Sequence, residues 1–271
     1  MRSVRFVSLL VLISLARSAA AQQATASQAP VSAAQATALL QQALAALSGG
    51  HPINDVTLSG IARRIAGSDD ESGTVVVKAL AATGTRLDLT LPSGTRSEIR
   101  NTTGAPIVGS WSGPDGIVHP IVDFNLVMDP CWFPAHALAS FAASPNSTLT
   151  NLGPETKNGD AVIHIAASFQ FPEYNAKGAA FLNHLSETQI YLDATTFLPV
   201  SIYFNIHPDG NSLIDIPIEL DYSNYQLVNG AQIPFHVQRF INNTLVLDLQ
   251  FNSAVLNSGL SASTFAVGAG L

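Results

Sequence analysis

The residues with chemistry to offer are seven histidines, one cysteine and a short row of carboxylates. His119 and His136 bracket Asp123, yet no two histidines stand at the H-x-x-x-H spacing that puts two imidazoles on one helical face around a metal. His164 and His236 fall on the polar phase of alternating segments, which predicts exposed side chains. A serine hydrolase of the nucleophile-elbow kind needs G-x-S-x-G, and the chain offers only the near miss Gly259-Leu-Ser-Ala-Ser263. It has neither a P-loop nor a dinucleotide G-x-G-x-x-G, so no cofactor is expected. Cys131 sits between Pro130 and Trp132 in an apolar run, where a thiol acts as a small hydrophobe. Asp215, Glu219 and Asp221 lie on the outward phase of one strand and read as a solvated face. These residues predict no catalytic group, no metal and no enzyme.

The apolar residues are far better organised. Hydrophobic residues make up 47% of the chain and charged residues 11%. From 190 to 251 the pattern reads as a series of strands. Residues 214, 216, 218, 220 and 222 are apolar and alternate with Asp215, Pro217, Glu219 and Asp221, sending one set to a core and the other to water. Asn229-Gly230 then supplies the positive φ of a two-residue hairpin turn.

The N-terminus carries Arg2 and Arg5, an apolar run and Ser18-Ala-Ala-Ala21, the pattern of a signal peptide over residues 1–21. The apolar run is far short of the ~20 residues of a spanning helix, so no stable membrane insertion of the mature chain is expected. Residues 22–31 read as a flexible leader and 32–271 as a single domain, periplasmic or secreted. Removal of the signal peptide takes three arginines and leaves nine basic against 19 acidic residues, which argues against nucleic acid. With one cysteine there is no internal disulfide, and stability must rest on packing.

Residues 32–48 are rich in Ala, Leu and Gln, with Leu39, Leu40, Leu44 and Leu47 near one face and Gly49-Gly50 as a stop. Strands are expected at 56–66, 74–82, 86–91, 96–100, 107–111, 117–120 and 161–171, which puts Arg63, Arg64, Arg86, Arg96 and Arg100 on strands. The acidic run 67–73 reads as a solvated hairpin tip. Residues 122–142 are helical by pattern, with Asp129-Pro130 as N-cap and first-turn proline, and Pro134 forcing two short helices or a kink. Residues 175–186 are a short helix or a hairpin tip. About ten strands with one dry face make a large antiparallel sheet that curls, and the two helical regions must cover its concave side.

This order resembles the bacterial lipoprotein-carrier (LolA-like) superfamily. The resemblance rests on the helix ending in Leu47-Ser-Gly-Gly50, on Tyr191-Leu-Asp-Ala-Thr-Thr-Phe-Leu-Pro199, on Asp221-Tyr-Ser-Asn-Tyr225 followed by Val228-Asn-Gly230 and Ile233-Pro-Phe235, and on the closing stretch from Leu256 to Phe265. It implies a mainly β (α+β) fold: a curved antiparallel sheet forming an incomplete barrel, covered by an N-terminal helix and a helical lid. It also implies an exported binding protein whose partner is an apolar ligand (an acyl chain or lipid) or an envelope protein. Candidate cavity residues are Phe124, Leu126, Met128, Trp132, Phe133, Leu138 and Phe141. The alternative is an envelope protein–protein interaction module whose cavity is filled by side chains. A solvent-reachable void above ~300 Å³ separates the two.

Overall fold

The computed structural model describes residues 33–81, 83–104 and 106–267, so the expected signal peptide and leader lie outside the described residues. Helix α1 (Ala33–Ser48) is followed by β1 (Asp55–Ala66), β2 (Asp69–Leu80), β3 (Gly84–Leu91), β4 (Gly94–Asn101), β5 (Val108–Ser112) and β6 (Val118–Pro120). An insert holding a 3-10 turn (Asp123–Leu126) and α2 (Pro134–Ala143) leads to β7 (Ser147–Lys157), β8 (Asp160–Phe169), α3 (Ala176–Leu185) and β9 (Thr188–Asp193). Strands β10 (Pro199–Ile206), β11 (Ile216–Val228), β12 (Ala231–Ile241) and β13 (Thr244–Leu256) complete the sheet.

All 13 strands join one antiparallel sheet in the order β6-β5-β4-β3-β2-β1-β13-β12-β11-β10-β9-β8-β7. Two meanders, β1–β6 and β7–β13, are thus joined where β1 pairs with β13. Strands β6 and β7 are the two edges, so the barrel does not close. The chain leaves one edge and re-enters at the other, so the insert has to cross the gap between them. The sheet is strongly curled: Glu98 on β4 lies 3.7 Å from Arg239 on β12. Four strands separate β4 from β12, and in a flat sheet their spacing would hold the two roughly 24 Å apart.

The elements form where local chemistry asks for them. Helix α1 buries Ala36, Leu40, Ala43 and Leu47, a stripe at helical spacing, in a core shared with Val56, Leu58 and Ala62 of β1 and with Ile233, Phe235 and Val237 of β12. Each fully buried Leu or Phe contributes about 1.5–3 kcal/mol. The helix stops at Gly49, whose φ of 59° is left-handed. A Cβ there would overlap the Gly230 carbonyl oxygen, so the helix end rests on the β11–β12 turn. That turn has φ 50° at Asn229 and 89° at Gly230, with Val228 opposite Ala231, the expected two-residue hairpin.

Several expectations are corrected. The sheet has more strands than about ten, and β7 was not read from sequence: Leu149 is its one buried aliphatic residue, and pairing with β8 supplies the rest. The β1–β2 hairpin tip is only Gly67-Ser68, because the acids beyond it are pinned across the pair. Arg63 donates to both carboxylate oxygens of Asp70, at 2.8 and 2.6 Å. Asp129-Pro130 does not start a helix. Asp129 Oδ1 accepts from the Cys131 amide at 2.6 Å in a local turn, and it is Pro134 that opens α2, with Phe133 as N-cap. Residues 175–186 are helical: the Asn175 side chain accepts from the Gly178 amide and caps α3.

Candidate functional site

The insert carries the seven apolar residues singled out from sequence. Phe124 is half-buried, its ring edge-on to His207 with centroids 6.1 Å apart. Leu126 and Met128 are buried and line a cavity of about 210 Å³ with Leu80, Arg100 and Phe169. Trp132, Phe133, Leu138 and Phe141 are at most 1% exposed. These four fill the concave face beneath α1 and α2, and Phe141 stacks on Phe169 at 4.6 Å between centroids.

Polar contacts hold this plug in place. Arg100, buried on β4, donates to the carbonyls of Asn125 at 2.7 Å and Met128 at 2.9 Å, and to Glu98 at 3.1 Å. The Asn125 amide bridges to the backbone of His207 in both directions, at 2.8 and 2.9 Å. The Tyr222 hydroxyl donates to the Cys131 carbonyl at 2.6 Å, beneath a Cys131 backbone held left-handed at φ 58°. Burial and the Asp129 carboxylate push the Cys131 thiol well up, so it stays protonated and inert.

Beyond the reach of the helices the concave face is open. A pocket of about 380 Å³ lies where β1, β3, β4, β5, β12 and β13 converge. Leu87, Leu89, Trp111, Ile241, Val246 and Leu247 give it apolar walls, and Arg64, Arg96, Glu98 and Arg239 give it charge. Register explains why these arginines face inward. Arg64 and Arg239 both stand opposite Leu247, and Arg96 stands opposite Leu89, so each shares a face with a core leucine. The Arg239 guanidinium lies 5.2 Å from the Trp132 ring centroid, which makes the plug the inner wall of this mouth. Burial would push the Glu98 carboxyl up, but the Arg100 and Arg239 charges outweigh it and hold the group below the usual range. A second groove, of about 400 Å³, runs between the end of α1 and α2 past Leu44, His51, Ile53 and His136.

The convex face is not simply solvated. Glu219 is paired with Lys157 at 2.7 Å. Burial and the neighbouring Glu219 charge push Asp221 up to about 6. The His164 ring stacks on Tyr191 at 4.3 Å and bonds Gln189 at 2.8 Å; its side chain is 14% exposed, contrary to expectation, because β8 and β9 wrap it. Ser223 Oγ, the His236 ring and Asp248 form a chain with both contacts at 2.9 Å. Acyl transfer would also need donors aimed at an oxyanion beside Ser223. The Gln238 amide on that face donates instead to Asp248, at 3.1 Å. Among the described residues, no cluster of three His, Cys, Asp or Glu is placed to hold a metal, and no helix is long and apolar enough to cross a membrane.

The arginine mouth was missed by sequence reasoning. On β4 the one apolar side chain is Ile99, so local alternation points Arg96, Glu98 and Arg100 outward; only pairing with the Leu87–Leu89 face of β3 turns them in.

No family model matches the sequence, and no curated protein matches it. Solved structures do match in shape. A domain named for outer membrane lipoprotein sorting, from Vibrio parahaemolyticus, is 14% identical with a TM-score of 0.55, covering 86% of this chain and 97% of that one. A LolA superfamily protein from Nitrosomonas europaea is 12% identical with a TM-score of 0.53, covering 85% and 97%. A DUF1329 family protein from Desulfovibrio piger is 9% identical with a TM-score of 0.53, at the same coverages. Nearly the full length of each of these structures is spanned, so this chain shares with them its open, helix-covered half-barrel fold.

Proposed function

We propose that this chain is an exported, non-enzymatic binding protein of the envelope that holds an acyl chain, of a lipid or a lipidated protein, on the concave face of its half-barrel. The observation that carries this reading is the mouth pocket, about 380 Å³ and walled by Leu87, Leu89, Val246 and Leu247 where the helical cover ends. Apolar walls with a few polar groups suit such a ligand, and the volume exceeds the ~300 Å³ floor of small-molecule sites. The insert residues Phe124, Leu126, Met128, Trp132, Phe133, Leu138 and Phe141 act as floor and plug, and a longer chain enters by displacing them toward the cavity that Leu126 and Met128 line. The test is native mass spectrometry with lipid extraction on protein purified from periplasm without detergent. Acyl lipid is expected to co-purify and to be lost in Val246→Glu, which places a charge in the mouth wall. A bare mass with no uptake of added fatty acid would refute the reading.

One observation favours the alternative, a protein-interaction module. The β5–β6 edge exposes Ile107, Val108, Trp111, Ile117 and Val118, with Trp111 stacked on His119 at 4.2 Å, an apolar margin beside an unpaired strand. Such an edge can accept an added strand from a partner. Loss of a captured envelope protein on Val118→Lys, with lipid content unchanged, would favour it.

A further inference from the structure

Four N–H donors at the plug and mouth are buried without a hydrogen-bond partner: Arg64 Nη1, Arg96 Nε, Arg239 Nε and Trp132 Nε1. A buried donor left unpaired costs about 1–3 kcal/mol, more when it is charged, so their collection at one place calls for an acceptor. The acids present do not supply it. Glu98 accepts from Arg100 at 3.1 Å and reaches Arg239 Nη1 only at 3.7 Å. Glu71 lies 3.5 Å from Arg64 and spends its oxygens on Ser93, at 2.9 and 3.0 Å. Arg64, Arg96, Arg100 and Arg239 therefore face Glu71, Glu98 and Asp129, leaving a net positive charge in a chain whose formal charge is −7. The same pocket is walled by leucines, and Trp111 stands 45% exposed at its rim.

We infer that the mouth pocket binds an anionic amphiphile, with Arg64, Arg96 and Arg239 taking its carboxylate or phosphate head while the chain lies against Leu87, Leu89 and Leu247. The inference rests on the proposed acyl-chain reading and adds to it the charge of the ligand. Arginine forks suit both head groups, because two parallel N–H donors match two oxygens. The acyl chain supplies burial, and the head supplies acceptors for the three arginines.

The test is isothermal titration of the full chain with laurate, dodecyl phosphate, dodecanol, and acetate or inorganic phosphate alone. Laurate and dodecyl phosphate are expected to bind about tenfold or more tighter than dodecanol, since a charge-assisted hydrogen bond contributes about 1.5–3 kcal/mol. The better of the two identifies the head. Arg96→Gln and Arg239→Gln are each expected to cut that preference about threefold or more, read as the affinity for the charged probe over that for dodecanol in the same variant. Arg96→Gln keeps the test sound should Arg239→Gln unfold, because among the described residues Arg96 makes no ion pair within 4 Å, whereas Arg239 is paired with Glu98 at 3.7 Å. Binding of both laurate and dodecyl phosphate no tighter than that of dodecanol, or a preference untouched by Arg96→Gln, would overturn the charged-head inference and leave the acyl-chain reading standing. Binding of inorganic phosphate alone as tightly as dodecyl phosphate would overturn the amphiphile in favour of a plain anion site. Failure of every chain-bearing probe to bind would remove both.

Discussion

The concave face of this half-barrel is one sheet surface finished in two ways. Beneath α1 and α2 it is plugged by Trp132, Phe133, Leu138 and Phe141, each at most 1% exposed. At the mouth, β1, β12 and β13 run on past the helices, and the inward positions pass from Ala62, Val237 and Leu249 to Arg64 and Arg239 around Leu247. The difference follows from how the cover is built. One insert, residues 121–146, crosses the gap between the edge strands once, and a single crossing covers only part of a 13-stranded sheet. A half-barrel of this kind needs no hollow centre to offer a pocket; the proposed site lies where the cover runs out.

The sharpest way to break that contrast is truncation in each region. Phe141→Ala, in the plug, is expected to lower stability by about 3–5 kcal/mol in urea unfolding, the transfer and cavity cost of a buried aromatic. Val246→Ala, at the half-buried mouth wall, is expected to cost about 1 kcal/mol or less. Equal losses would mean that the two regions are packed alike. Tyr222→Phe removes the buried bond to the Cys131 carbonyl and is expected to cost about 1–2 kcal/mol. If the plug can move, the variant also takes up more of the environment-sensitive dye ANS.

The smallest effect belongs to the convex face and serves as a control. Asp221 titrates at about 6 in the folded chain against an ordinary value of 3.8, so the native state binds the extra proton between those values. Stability therefore falls as pH rises from about 4 to about 6 and stays lowered above that. Asp221→Asn is expected to raise stability at pH 7 by about 1 kcal/mol after allowance for solvent screening of a part-exposed group, and to lose that advantage as pH drops toward 4. Ligand uptake should not change, because this face is remote from the mouth. A pH-independent gain would mean that shape, not charge, is at issue there.

Much of the fold was legible because it is local. The Asn229-Gly230 turn, the alternation from Ile218 to Tyr222 and the stripe Ala36-Leu40-Ala43-Leu47 follow from backbone sterics and from periods of two and 3.6, which the sequence states directly. A polar strand such as β7 shows neither period strongly, and only its ladder to β8 makes it a strand. The plug was legible as a list of apolar residues, but its role as filling depended on how deeply Trp132 and Phe133 enter the sheet.

The sequence by itself determined the kind of molecule: a low-charge, antiparallel β chain with helices enough to cover one face. Tertiary structure alone decided which polar residues turn inward. The strand period settles only that neighbours alternate, and which alternate set faces the core depends on the partner strand. Pairing β4 with β3 turned Arg96, Glu98 and Arg100 in, and sheet curvature brought Glu98 to Arg239 across four intervening strands. Those contacts are long-range, so no local pattern carries them, and they are what gives the mouth its charge.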